Sequence, residues 1–204
     1  MSPLTVFVRT LMKTTALFIG TTAVFLNPSL DWSAPRSAAV TAQQSPRDAA
    51  IDALVAALKD SDAGVRRQAA SALGSLGNRR AVPGLIAALK DPEADIRQRA
   101  VSALGELGDR SAVPAIVPLL KDADFKTRTR AATALGELGD RAAVDPLIAA
   151  VTDTNTEVRR RAVMALGELG DGRAVPALTQ ALKDEDAGVR RHAVMALAEL
   201  GGGS

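Results

Sequence analysis

The chain has 204 residues, no cysteine, one histidine and only 2% aromatic residues. That excludes disulfides and thiolate metal sites, and it leaves small aliphatic side chains to build the core. The formal charge of +2 belongs to residues 1–42, where Arg9, Lys13 and Arg36 face only Asp31; the rest is neutral, so the basic balance is no argument for a nucleic-acid partner.

In chain order, Arg9 and Lys13 precede an uncharged run from Thr14 to Leu26. The run is shorter than the roughly 20 residues that span a bilayer. A basic start, a short apolar core and then small residues have the form of a secretory signal peptide. Val40-Thr41-Ala42 before Gln43 offers the cleavage site, with Ser37-Ala38-Ala39 as second choice. An uncleaved membrane anchor is the alternative. Residues 1–42 are therefore read as a leader that exports the chain to a bacterial periplasm or outside the cell. Residues 43–46 are a polar linker. Ser45 followed by Pro46 reads as a helix N-cap with proline at the first helical position.

From residue 47 the chain repeats itself. The stretch 158–170, Val-Arg-Arg-Arg-Ala-Val-Met-Ala-Leu-Gly-Glu-Leu-Gly, has near copies at 65–77, 96–108, 127–139 and 189–201. Gly74, Gly105, Gly136 and Gly167 mark a constant step of 31, with Ala198 in the fifth slot. A fixed period of this size means stacked repeats, here 47–77, 78–108, 109–139, 140–170 and 171–201, followed by a tail at 202–204. Each repeat reads as two helices. The first spans 51–59, 82–90, 113–121, 144–152 or 175–183. Pro83, Pro114, Pro146 and Pro176 sit in the first turn, where a missing N–H is tolerated; Pro118 lies deeper and should kink its helix. The second helix starts at Val65, Ile96, Thr127, Val158 or Val189. Gly77, Gly108, Gly139 and Gly170 should end it in the left-handed C-cap conformation, and residues 201–204 should fray. Val158, Ala162, Ala165, Leu166 and Leu169 form one helical stripe. A single helix pair cannot cover that stripe, so neighbours must. The internal glycine costs about 1 kcal/mol against alanine in mid-helix. Four successive copies keep it, which implies the close approach of another backbone. Ala198 is read as the mark of the last repeat; a truncated array is the competing reading, because the fifth repeat otherwise lacks a polar end cap.

The lines Ala-Val-Pro-x-Leu-Ile-x-Ala-Leu-Lys-Asp and Val-Arg-x-x-Ala-x-x-Ala-Leu-Gly-x-Leu-Gly resemble HEAT-like repeats, of the short type named after the phycobilisome bilin lyases. The match covers 47–201. The resemblance implies an all-α, right-handed α-solenoid of five helix-pair repeats behind the signal segment, with the second helices on the concave side. Asp60, Asp91, Asp122, Asp153 and Asp184 match the turn aspartate of such repeats. Arg66, Arg97, Arg128, Arg159 and Arg190 match the partner arginine. In similar repeats they form a structural ladder of charged hydrogen bonds within and between units. Each arginine here lies six residues after its own aspartate. The functional alternative is an anion-binding arginine row.

On the second helix, four slots lie roughly 180–270° from the apolar stripe at 100° per residue. Their occupants vary between copies and give the candidate partner-binding face: Arg67, Gln98, Arg99, Arg130, Thr133, Arg160, Arg161, Met164, Glu168, Arg191, His192 and Met195. The strip is basic on one edge and acidic on the other. Methionine adapts to irregular partner surfaces. The bland alternative is a solvated charged face.

No catalytic constellation appears. A lone His192 cannot supply the three or four convergent ligands a metal site needs. Iron-dependent hydroxylases built from similar repeats use paired His-Glu motifs; the comparable places here read Gly105-Glu106, Gly136-Glu137 and Gly167-Glu168. Phe125 is the only aromatic after residue 42, so base stacking has no platform and nucleic acid is disfavoured. No cofactor is implied. Because fold alone does not name activity, the leading reading is an exported, monomeric, non-enzymatic scaffold that binds a protein or peptide on its concave face. Membrane contact would come only through an uncleaved leader. The alternative is a bilin lyase or lyase accessory subunit for phycobiliproteins, although such lyases act on cytoplasmic antenna proteins, in pairs and with longer chains. N-terminal sequencing of the exported protein should begin at Gln43, and its near-ultraviolet absorbance should almost vanish as Trp32 leaves; a start at Met1 would rule out cleavage.

Overall fold

The computed structural model describes residues 45–202. The leader at 1–42, its cleavage after Ala42 and residues 43, 44, 203 and 204 lie outside the described residues.

Ten α-helices run in order through them: α1 (Pro46–Ala57), α2 (Ala63–Leu76), α3 (Val82–Ala88), α4 (Ala94–Leu107), α5 (Val113–Ile116), α6 (Phe125–Leu138), α7 (Val144–Ala150), α8 (Thr156–Leu169), α9 (Val175–Ala181) and α10 (Ala187–Gly202). The order repeats a short first helix and a 14-residue second helix, the last being longer. Each second helix packs on its own first helix and on the second helices before and after it: α2 on α4, α4 on α6, α6 on α8, α8 on α10. The five repeats thus touch in succession.

The stripe expected on the second helix faces the core. Val158, Ala162 and Leu166 are fully buried, and Ala165 and Leu169 nearly so. The same slots in other copies, Leu73, Leu104 and Leu135, are fully buried as well. Each such leucine contributes roughly 1.5–3 kcal/mol, most of it through contact with the neighbouring repeat.

Helix ends follow local chemistry. Ser45 accepts from the Asp48 N–H at 3.2 Å, with Pro46 opening α1. The second helices begin two residues earlier than the apolar phase indicates. Asp62, Asp124 and Asn155 cap them through the N–H of the third residue on, Val65, Thr127 and Val158. Gly77, Gly108, Gly139 and Gly170 adopt φ of 61–63°, the left-handed cap that only glycine enters freely. The expected frayed end at Gly201 is not what is found: Gly201 and Gly202 continue α10. Four one-turn 3-10 segments, which the apolar period could not reveal, link the repeats: Arg79–Ala81, Arg110–Ala112, Arg141–Ala143 and Gly172–Ala174. Asn78, Asp109, Asp140 and Asp171 initiate them by accepting the N–H two residues on. Pro118 converts the end of its helix to a 3-10 stretch, Val117–Lys121, because proline cannot donate to the i−4 carbonyl.

The internal glycines lie at the junctions. A Cβ on Gly74 would come 3.0 Å from the Cβ of Ala103 and 3.2 Å from its Cα. On Gly136 it would meet the Cβ of Ala165 at 2.9 Å and its Cα at 3.1 Å. Successive second helices therefore approach closely enough that a methyl does not fit. Gly136→Ala gains helix propensity of about 1 kcal/mol but overpacks a rigid junction at a cost of about 1–3 kcal/mol. The thermal midpoint should fall; a rise on differential scanning would show that the spacing yields. Ala198→Gly, at an exposed end, should lose only the propensity.

Candidate partner-docking face

The arginines of the turn motif do not pair with the carboxylate six residues back. Four of the five, Arg66, Arg97, Arg128 and Arg159, reach across the junction to the turn aspartate of the next repeat. Arg66 Nε lies 2.7 Å from Asp91 Oδ2, and Arg97, Arg128 and Arg159 make the same contact with Asp122, Asp153 and Asp184 at 2.8 Å. The Nη2 donors take the second oxygen, giving a two-point fork. Nη1 donates to the backbone carbonyls of the arginine's own turn, as from Arg128 to Asp122 O at 2.9 Å and Ala123 O at 3.2 Å. Own and following repeat are thereby tied by one guanidinium. Burial pushes the Asp91, Asp122 and Asp153 carboxyls up. The arginine fork, a backbone N–H and nearby positive charge outweigh it and hold all three below the usual aspartate range. Asp184 is held down chiefly by Arg159. With the fork filled by a carboxylate and Nη1 by carbonyls, little donor capacity remains for an external anion.

The variable slots come together along the second helices. Arg99, Arg130 and Arg161 occupy one slot in the second, third and fourth repeats, with His192 in the fifth. Glu106, Glu137, Glu168 and Glu199 occupy another. The face therefore carries a basic row beside an acidic row. Arg130 and Arg191 are exposed. Arg67 is exposed and paired with Asp95 at 2.5 Å; Arg99 reaches the same carboxylate at 3.4 Å and Ser71 Oγ at 2.9 Å. Arg161 sits 2.9 Å from Glu157, which also pairs with Arg160. Thr133 donates to Thr129 O within its own helix. Met164 is half-buried, whereas Met195 is 58% exposed.

Two candidates have structural duties that the sequence did not disclose. Gln98 donates to the N-cap carboxylate Asp124 of the next repeat at 2.8 Å, so it belongs to the junction. His192 Nδ1 donates to Gly188 O at 2.7 Å. Among the described residues, no cluster of histidine and carboxylate could hold a metal ion.

Two grooves of about 340 and 310 Å³ run between these helices. The first lies between Ser71, Ser75, Gln98, Arg99 and Glu106; the second is lined by Phe125, Thr129, Arg130, Thr133 and Arg161. Sequence reasoning missed Asp95, Phe125, Lys126 and Glu157 as lining residues. Asp95 and Glu157 stand four residues before Arg99 and Arg161, the helical ion-pair spacing, and that signal could have found them. Phe125 carried none.

The acidic row follows the same register. Each glutamate carboxylate lies over the internal glycine of the preceding repeat: Glu106 over Gly74, Glu137 over Gly105, Glu168 over Gly136, Glu199 over Gly167. Glu137 is exposed overall, but partial desolvation where it lies over the junction and the charge of Glu106 raise it above its ordinary range against the pull of Arg130 and Arg161. Partial desolvation, Glu137 and Glu199 do the same to Glu168. A carboxyl raised in the folded state costs stability once the pH passes its unfolded value, near 4.5. Glu137→Gln and Glu168→Gln should therefore raise the thermal midpoint at pH 7, with the gain fading as the pH falls towards 4. A lower midpoint at pH 7 would show that these carboxylates stabilise the face.

A family profile described as HEAT repeats matches residues 24–100, 82–156 and 144–204. No curated protein matches the chain. Among solved structures, the chain is similar to the complex of CpcE and CpcF of phycocyanin lyase from Nostoc sp. PCC7120, at 30% identity and a TM-score of 0.66 over 78% of this chain and 67% of that one. It is also similar to a designed armadillo repeat protein in complex with the peptide (KR)4, at 21% identity and a TM-score of 0.61 over 75% of this chain and 82% of that one. An engineered protein matches at 22% identity and a TM-score of 0.58, over 74% and 79%. The last two likenesses bear on the fold alone.

Proposed function

We propose, for a chain that belongs to the HEAT-repeat family, that the second-helix face grips a protein partner and that the chain serves as a subunit of a phycocyanin-lyase type of assembly. The likeness to the CpcE–CpcF complex, at 30% identity over 78% of the chain, carries this reading. It favours the lyase-subunit alternative over the exported scaffold that the leader suggested. The chain's own chemistry limits its share of the work. It has no cysteine, and its single histidine spends Nδ1 on a backbone carbonyl. Its part in this reading is to hold and orient an acceptor protein and a bound pigment.

The paired rows on the face suit such a task. An extended partner segment can place acids against Arg99, Arg130 and Arg161 and bases against Glu106, Glu137 and Glu168, one contact per repeat step. Met164 and Met195 add adaptable apolar contact at the C-terminal end. In a right-handed superhelix with the second helices inside, this strip is the concave surface, the long binding surface that solenoids provide.

The second reading keeps the exported scaffold, supported by the signal-like run at 14–26 and the small residues before Gln43. Co-expression separates the two. The chain, a CpcF-type subunit, phycocyanin apoprotein and bilin should together yield a covalent coloured adduct, and Arg161→Ala with Met164→Ala and Met195→Ala should abolish it while the helical circular dichroism is kept. No coloured adduct, together with recovery of the chain from the periplasm, would favour the exported scaffold. An adduct unaffected by the triple substitution would move the docking site elsewhere.

A further inference from the structure

The two ends of the stack are complementary to each other. At every inner junction an arginine fork grips the next turn aspartate, as Arg159 grips Asp184. At the C-terminal end, Arg190 is already oriented by its own turn, with Nη1 donating to Asp184 O at 2.7 Å and Glu185 O at 2.9 Å. Its Nε and Nη2 edge has no carboxylate among the described residues. At the N-terminal end, Asp60 accepts the Asp62 N–H at 2.8 Å, as the four inner aspartates accept theirs. No arginine reaches the Asp60 carboxylate among the described residues.

Apolar surface follows the same pattern. Val194 is 58% exposed, although its counterparts Ala70, Val101, Ala132 and Val163 are fully buried by the following repeat. Val65 is 42% exposed, although Ile96, Thr127, Val158 and Val189 are fully buried. Terminal repeats of solenoids usually present a polar outer face; Val194 and Val65 depart from that at the two ends of the described stack.

The steric slots at the ends differ from the inner ones, and the short Ser75 offsets part of what the Ala198 methyl adds. Inner junctions set glycine in one repeat beneath glutamate in the next. The C-terminal end has Ala198 in the glycine slot, and the N-terminal end has Ser75 in the glutamate slot. A glutamate arriving over Ala198 would collide with its methyl, since Glu199 Oε2 already lies 2.9 Å from a Cβ built on Gly167. Serine is short enough to clear it. Ala72 would take the place of Ala196, whose Cβ lies 2.9 Å from that same built Cβ, so the junction opens by a few tenths of an ångström relative to the inner ones.

We infer that the C-terminal end of this chain binds the N-terminal end of a second copy, with Arg190 on Asp60 and Val194 and Val65 covered at the junction. The contact is heterologous, so it leaves one end free and propagates into open rows rather than closing as a dimer. Light scattering of the full chain across a wide concentration range tests it. The mass should rise above the monomer with concentration. Arg190→Asp and Asp60→Arg should each hold the chain at monomer mass, whereas mixing the two variants, or combining both changes in one chain, should restore association. Val194→Glu, at a position exposed in the single chain and therefore harmless to folding, should also hold it monomeric. A monomer at every concentration, a charge swap that fails to restore association, or a Val194→Glu chain that associates as before would overturn the inference.

Discussion

Close approach of successive second helices is the constraint on which the rest depends. With so few aromatic residues, the fold cannot fill wide gaps and has to bring backbones together. The internal glycines permit this: a helix that would be more stable with alanine accepts a penalty of about 1 kcal/mol so that the alanine of the next repeat can seat against it. Dispersion falls off steeply with distance, and a gap of half an ångström forfeits a quarter or more of a contact. The tight spacing recovers across many leucine, valine and alanine contacts what the glycine loses locally.

The arginine fork works at the same junction and fixes its register. One guanidinium satisfies two carbonyls at the end of its own turn and both carboxylate oxygens of the next. A repeat that slid or rotated would break the fork and leave a partly buried charge unpaired, which costs several kcal/mol in the fully buried limit. The apolar contacts make the stack stable but are non-directional. The fork makes it regular.

Regularity then shapes the face. Because the step is constant, any slot on the second helix becomes a row along the array. An arginine slot becomes a basic row and a glutamate slot an acidic one. In the acidic row, Glu137 and Glu168 stand where partial desolvation at the junction and like charge raise them, and the neighbouring arginines offset this only in part.

The amino-acid sequence by itself determined the repeat, its 31-residue step, the two helices per unit, the buried stripe and the glycine caps, because these follow from local periodicity and from the conformations single residue types allow. It also indicated that the internal glycines answer a close neighbour. Only the tertiary structure decided which partner each side chain meets. Arg128 is six residues from Asp122 but forks onto Asp153, since a helix start points its side chain across the junction and not back along the chain. Gln98 reads as part of the partner-binding face until Asp124 of the next repeat is seen accepting its hydrogen bond. The 3-10 links escaped the sequence because three residues are too few for the apolar period to register, although the Asn and Asp that cap them are local.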